Sequence, residues 1–254
     1  MRSIVAANWK MYKTRAEALA TTRQLGEIFA RTPDGIESVI FAPFTVLDAA
    51  FTGLKTIPGF FLGGEDVYPA KEGAFTGEIS PAMLLDCGCT WVLTGHSERR
   101  HILGESPEFV GQKTSFALEN GLSVMLCIGE TLEERENGQL EAVLRSQLGK
   151  GLAGVAGDAL NRIAIAYEPV WAIGTGKVAS TDDIFAAHGI VRKLLAEFVP
   201  EDAAAGMPIL YGGSVKPNNA QAIMALDNVN GLLVGGASLQ AESFAAIIRA
   251  AQKN

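Results

Sequence analysis

Eight short apolar runs recur along the chain, at 4–7, 39–42, 60–62, 91–93, 124–128, 163–167, 209–211 and 232–234, each followed by a glycine, a proline or a polar residue. None alternates apolar with polar residues, so each predicts a strand buried on both faces, the habit of parallel sheets. Parallel neighbours need a crossover connection, usually a helix. The segments between the runs mark their own helix starts. Thr14 with Glu17 and Thr131 with Glu134 predict capping boxes, while Ser80-Pro81 and Ser106-Pro107 predict an N-cap followed by proline in the first turn. Eight strand–helix units in 254 residues come to about 32 residues each, the size of a βα repeat and the usual total for a (β/α)8 barrel. An open doubly wound sheet would need a phosphate fingerprint after the first strand, and Asn8-Trp9-Lys10-Met11 is not one. No linker or composition break divides the chain. The expected fold is therefore α/β, a single (β/α)8 barrel domain over 1–254.

Composition narrows the partners. Hydrophobic residues make up 48% and charged ones 19%, which excludes a disordered tail protein. Lys and Arg number 21 against 28 Asp and Glu, a net charge of −7. Neither nucleic acid nor an anionic membrane is then an expected partner, and an anionic ligand must be held by a local positive site. The apolar run after Met1-Arg2-Ser3 is too short for a signal-peptide core, and no stretch reaches the roughly 18 apolar residues of a membrane span. Cys87, Cys89 and Cys127 are odd in number and lack metal-type spacing, which fits a reducing compartment. The expected location is the cytoplasm. Glycine is in excess, 28 in 254 residues, or about 11% against roughly 7% on average.

Two motif matches fail on context. Gly149-Lys150-Gly151-Leu152-Ala153-Gly154 fits GxGxxG but ends a helical pattern instead of following a strand. Gly95-His96-Ser97-Glu98-Arg99 resembles a serine elbow until Arg99 replaces the last glycine. His96 and His101 stand five apart, on different faces of a helix, with no zinc-type pattern around them.

In a barrel the polar groups at the C-terminal strand ends carry the chemistry. Glu168 follows the sixth run and precedes Pro169, so it could be a partly desolvated base or simply a solvated loop carboxylate. His96 opens a predicted helix at 97–101, whose dipole favours neutral imidazole, a hydrogen-bond donor to a carbonyl; satisfying a turn carbonyl is the plainer alternative. Lys10 could bring a cation to an anionic substrate or be a surface charge. Asn8 could orient substrate or cap a turn. Gly212-Gly213-Ser214 and Gly235-Gly236 follow the seventh and eighth runs, the usual phosphate site of barrels. The connection 169–179, with Gly174-Thr175-Gly176 and the apolar Trp171 and Ile173, predicts a mobile lid.

Six motifs together resemble the triosephosphate isomerase family, in that family's order: Ala7-Asn8-Trp9-Lys10-Met11, Gly73-Ala74-Phe75-Thr76-Gly77-Glu78-Ile79-Ser80, Gly95-His96-Ser97-Glu98-Arg99-Arg100, Ala166-Tyr167-Glu168-Pro169-Val170-Trp171-Ala172-Ile173-Gly174-Thr175-Gly176-Lys177, Tyr211-Gly212-Gly213-Ser214-Val215, and Gly231-Leu232-Leu233-Val234-Gly235-Gly236-Ala237-Ser238. The resemblance implies a TIM barrel that interconverts dihydroxyacetone phosphate and glyceraldehyde 3-phosphate through an enediol(ate), in glycolysis and gluconeogenesis, without cofactor or metal. It implies Glu168 as the base and His96 as the neutral acid. Lys10 would stabilise negative charge and Asn8 would contact substrate. Gly174, Ser214, Gly235 and Gly236 would hold the phosphate, with Ser97 and Glu98 in support. The loop 65–79 would insert into a second copy of the chain, with Thr76 near that copy's site, so a homodimer is implied. Glu65 and Asp66 stand where the family commonly has amides, and as ionised groups near an interface they would be costly unless paired or protonated. Ala6-Ala7 replace a familiar glycine pair, and Tyr12 stands at a variable position. A different phosphosugar barrel would need another acid and base set, and a non-catalytic binder would need no carbon-acid base at all.

Overall fold

The structure, a computed structural model, describes residues 3–173 and 178–252. Its strands are β1 (Ser3–Asn8), β2 (Ile36–Ala42), β3 (Phe60–Gly64), β4 (Trp91–Thr94), β5 (Ser123–Ile128), β6 (Ile163–Tyr167), β7 (Ile209–Tyr211) and β8 (Gly231–Val234). All eight apolar runs are strands, extended by up to three residues. Each pairs in parallel with its sequence neighbours, and β1 pairs with β8 (Ala7 opposite Val234), closing the barrel.

The helices are α1 (Arg15–Ile28), α2 (Leu47–Leu54), α3 (Pro81–Asp86), α4 (Ser97–His101), α5 (Pro107–Glu119), α6 (Leu132–Glu136), α7 (Leu140–Gly151), α8 (Thr181–Phe198), α9 (Glu201–Gly206), α10 (Ala220–Met224) and α11 (Ala241–Ala250). Both expected capping boxes form, at Thr14 of α1 and Thr131 of α6. Ser80 and Ser106 cap α3 and α5, each with proline in the first turn. The false GxGxxG sits at the end of α7.

Because strand residues alternate faces, two cores form. One joins Val5, Ile40, Val124 and Ile165 to helix residues such as Leu25, Leu144 and Val191, so it lies between sheet and helices. The other is built from strand residues alone, among them Ile4, Ala6, Phe41, Leu93, Ala164 and Leu210, and fills the barrel. Both faces of each strand are thus apolar, which is why the runs show no alternation. Ala6 and Ala7, in place of the familiar glycines, are fully buried, one in each core.

Candidate active site

Strand parity decides what caps the barrel. Ile4 and Ala6 face inward, so Asn8 at the end of β1 is next in that row. Ala164 and Ala166 likewise lead to Glu168, and Leu233 leads to Gly235. These residues meet at a cavity of about 400 Å³ lined by Asn8, Lys10, His96, Glu98, Glu168, Ser214, Gly235 and Gly236. The sequence-predicted residues that lie among the described ones are therefore brought together, with Ser97 buried beside them. Gly174 lies outside the described residues, as does the 174–177 part of the expected lid.

Asn8 Oδ1 accepts the backbone N–H of Lys10 at 3.0 Å. That bond helps hold Lys10 at φ 54, a left-handed conformation uncommon for lysine. The turn aims the Lys10 ammonium across the pocket to Glu98 Oε1, 2.5 Å away. Gly95 at φ +67 turns the chain sharply after β4, and a Cβ there would lie 2.4 Å from Arg100 Nη2. Arg100 fills that space and donates to the carbonyls of Gly95 and Cys127.

His96 then caps α4. Its Nδ1 accepts the Glu98 backbone N–H at 3.3 Å, so the ring's single proton belongs on Nε2, which faces Glu168 Oε1 at 3.0 Å. The other Glu168 oxygen accepts the Ser97 N–H at 3.1 Å. Burial alone would raise the Glu168 pKa, but the His96 ring and these hydrogen bonds outweigh it and hold the carboxyl below its ordinary range. The same pairing acts on His96: burial works to lower its pKa, but the Glu168 charge and hydrogen bond, with the Glu98 charge, outweigh it and hold the ring above its ordinary value. The α4 N-terminus favours a neutral ring, and the adjacent carboxylate opposes it.

Glu168 owes its place to a neighbour. Its N–H donates to the Ile128 carbonyl at 2.7 Å, and a Cβ on Gly129 would sit 1.7 Å from the Glu168 carbonyl oxygen. Glycine is required there.

Sequence reasoning missed Glu130, which is fully buried. One of its oxygens accepts from Tyr167 Oη at 3.1 Å, Trp171 Nε1 at 2.9 Å and Arg135 Nη1 at 3.1 Å. It anchors the start of the 169–179 connection to the barrel. Its position directly after Gly129 at a strand end was the available signal. Lys216 also lines the cavity, and its nearness to Ser214 could have flagged it.

Glu65 and Asp66 part ways. Asp66 accepts from Lys113 Nζ at 2.7 and 2.9 Å and from Arg99 Nη2 at 2.8 Å, all within the chain. Glu65 Oε1 is buried without a hydrogen-bond partner, and burial pushes its pKa up to about 8. One carboxylate is thus paired and the other protonated at neutral pH.

The chain matches the family model described as Triosephosphate isomerase over residues 3–251. The chain belongs to the triosephosphate isomerase family. The triosephosphate isomerase of Oleidesulfovibrio alaskensis is 61% identical over 98% of this chain and 100% of its own length. That of Nitratidesulfovibrio vulgaris is also 61% identical, with the same coverage, and that of Lawsonia intracellularis is 52% identical over 98% of each chain. The protein is accordingly an isomerase that acts on a triose phosphate, a step of glycolysis.

Proposed function

We propose that Glu168 removes a proton from the carbon beside the substrate carbonyl and returns it to the neighbouring carbon, interconverting dihydroxyacetone phosphate and glyceraldehyde 3-phosphate. The observation that carries this reading is the buried Glu168 carboxylate facing His96 Nε2 at 3.0 Å inside the cavity that also holds Lys10 and the glycine loops. Glu168 leaves its hydrogen bonds to His96 and Ser97 to reach the substrate carbon. In its resting place those bonds hold the carboxyl ionised at neutral pH, and leaving them while still buried makes it more basic, as a base must be. His96 Nε2–H donates to the carbonyl oxygen as the C–H bond breaks, and an enediolate forms. The ring then relays a proton between the two oxygens, and Glu168 gives its proton back, so atoms and charge balance. Lys10 and Asn8 face the oxygens where negative charge develops, where a preorganised donor is typically worth on the order of 10²- to 10³-fold in kcat.

Ser214, Gly235, Gly236 and Gly174 hold the phosphate. A Cβ on Gly236 would meet nothing within 4 Å, so the backbone there is uncrowded and a phosphate could approach it closely. The enediolate must be kept from water, which would otherwise let it expel phosphate, and the connection that Glu130 anchors at Trp171 is the segment placed to do so. A carboxylate base beside a neutral imidazole is the established pairing of triosephosphate isomerases, and the Nδ1 contact of His96 supports the same pairing in this chain.

Glu168→Gln tests the assignment. It keeps the fold and loses at least about 10³-fold in kcat in a coupled isomerase assay; turnover near that of the wild type would overturn it.

A homodimer through the 65–79 loop is part of the same reading. It is supported by the exposure of Met11, Phe75, Met83 and Ile102, apolar side chains that a partner would cover. Thr76, exposed on that loop, reaches the partner's site. Sedimentation at micromolar protein should give twice the chain mass, and a monomer would refute it. Gluconeogenesis shares the reaction in reverse. The cytoplasmic location rests on the three free cysteines.

A further inference from the structure

Lys13 has no part in the chemistry above, yet its side chain is tied at three points. Its backbone takes φ 75, left-handed and uncommon for a lysine, which folds the chain back after Lys10. The side chain then runs under the loop. Its ammonium donates to Thr21 Oγ1 of α1 at 2.7 Å and to the Leu239 carbonyl at 2.8 Å, and lies 5.0 Å from the ring centroid of buried Trp9. Leu239 closes the short turn Gly236–Ser238 after β8, a turn whose other end is tied by Ser238 Oγ to the Gly235 carbonyl at 2.7 Å. The back of that turn is therefore gripped by a residue three positions after Lys10. On its front, a Cβ on Gly235 would lie 3.6 Å from Lys10 Cε.

We propose that Lys13 is a positioning residue that locks the phosphate-binding turn at 235–239 to the loop carrying Lys10, fixing the spacing between the two ends of the bound substrate. The proposal rests on the assignment of Gly235 and Gly236 to the phosphate. A cation at a carbonyl that ends a turn, partly desolvated against an aromatic face, holds it more firmly than a solvated lysine could. The sequence neighbourhood hides this, because Leu239 is 226 residues from Lys13.

The test compares Lys13→Asn with the wild type. Asparagine tolerates the left-handed backbone but cannot reach Leu239. KM for glyceraldehyde 3-phosphate and the inhibition constant of inorganic phosphate should both rise about tenfold, with kcat within about threefold and its pH profile unchanged. Lys13→Arg, which keeps a cation and donors, should restore both constants to within about threefold of the wild type. A variant that melts earlier but keeps wild-type KM and phosphate inhibition would overturn the proposal. If Lys13→Asn does not fold, Lys13→Gln, which keeps most of the stem over Trp9, takes its place in the same assays. Gly236→Val separates the phosphate assignment from the lock. Unchanged KM and phosphate inhibition there would overturn the phosphate assignment and the lock with it. A rise there without one in the Lys13 variant would overturn the lock alone.

Discussion

His188, on α8, is fully buried, with its ring centroid 5.8 Å from that of Tyr167 and 6.4 Å from that of Tyr211. Its Nδ1 lies 3.0 Å from the Asn228 carbonyl oxygen. Burial, with a contribution from the Arg192 charge, lowers its pKa to about 4. The unfolded chain takes up this proton near pH 6.5 and the folded chain only near 4. The stability contributed by the neutral ring is therefore complete above pH 6.5 and is lost as pH falls towards 4, a change of roughly 3 kcal/mol. His188→Asn removes the titration and keeps a donor for Asn228. Between pH 7 and 4 the melting temperature of the wild type should fall more steeply than that of the variant; parallel curves would show that His188 does not titrate this way. At the same scale, Glu168 was legible as the polar residue that ends the sixth apolar run before Pro169. Its hydrogen bond to Ser97, 71 residues earlier, was not.

Helix starts were the most readable elements, because a capping box is settled within four residues. Thr14 accepts from the Glu17 N–H while Glu17 accepts from the Thr14 N–H, and no distant group is needed. Thr14→Ala should cost about 1 kcal/mol in chemical denaturation with kcat unchanged, since α1 begins away from the reacting atoms. Strand ends were less sharp, as their last residues are set by neighbours' hydrogen bonds and not by their own composition. Gly129 shows how much an element's end can matter. With its would-be Cβ 1.7 Å from the Glu168 carbonyl oxygen, Gly129→Ala must push β6's end away from β5. The expected result is a fall of at least about tenfold in kcat in protein that still folds, because positioning errors near 1 Å are costly. Wild-type kcat in that variant would mean that the strand end yields without moving the carboxylate.

For the whole molecule, Glu65 couples acidity to stability. Its folded-state pKa of about 8 stands above the ordinary 4.5, so the stability associated with its protonated form is fully present below pH 4.5. It is lost progressively as pH rises towards 8. Glu65→Gln has no proton to lose. The gap in melting temperature between variant and wild type should widen from pH 5 to pH 9, and so should the gap in dimer dissociation; a constant gap would show that the carboxyl ionises freely. Burial pushes the Asp66 carboxyl up as well, and the charges of Lys113 and Arg99 offset part of that rise. The net charge of −7 also finds its resolution at this scale. Lys10 and Lys216 line the cavity at one end of an acidic barrel and supply cations there.

Periodicity, chain length and local capping were enough to establish eight parallel strands, their helical crossovers and the barrel's active end, because these features are written in contacts a few residues apart. The motifs at that end named Asn8, Lys10, His96 and Glu168. Barrel closure alone decided how they act, since their interactions join residues far apart in the chain. Lys10 meets Glu98, His96 meets Glu168, and Lys13 meets Leu239 only once the strands have gathered and β1 lies beside β8. Which carboxylate is paired with a cation, which is protonated and which is held ionised beside His96 follows from those long-range neighbours, whose charges and burial no single stretch of sequence contains.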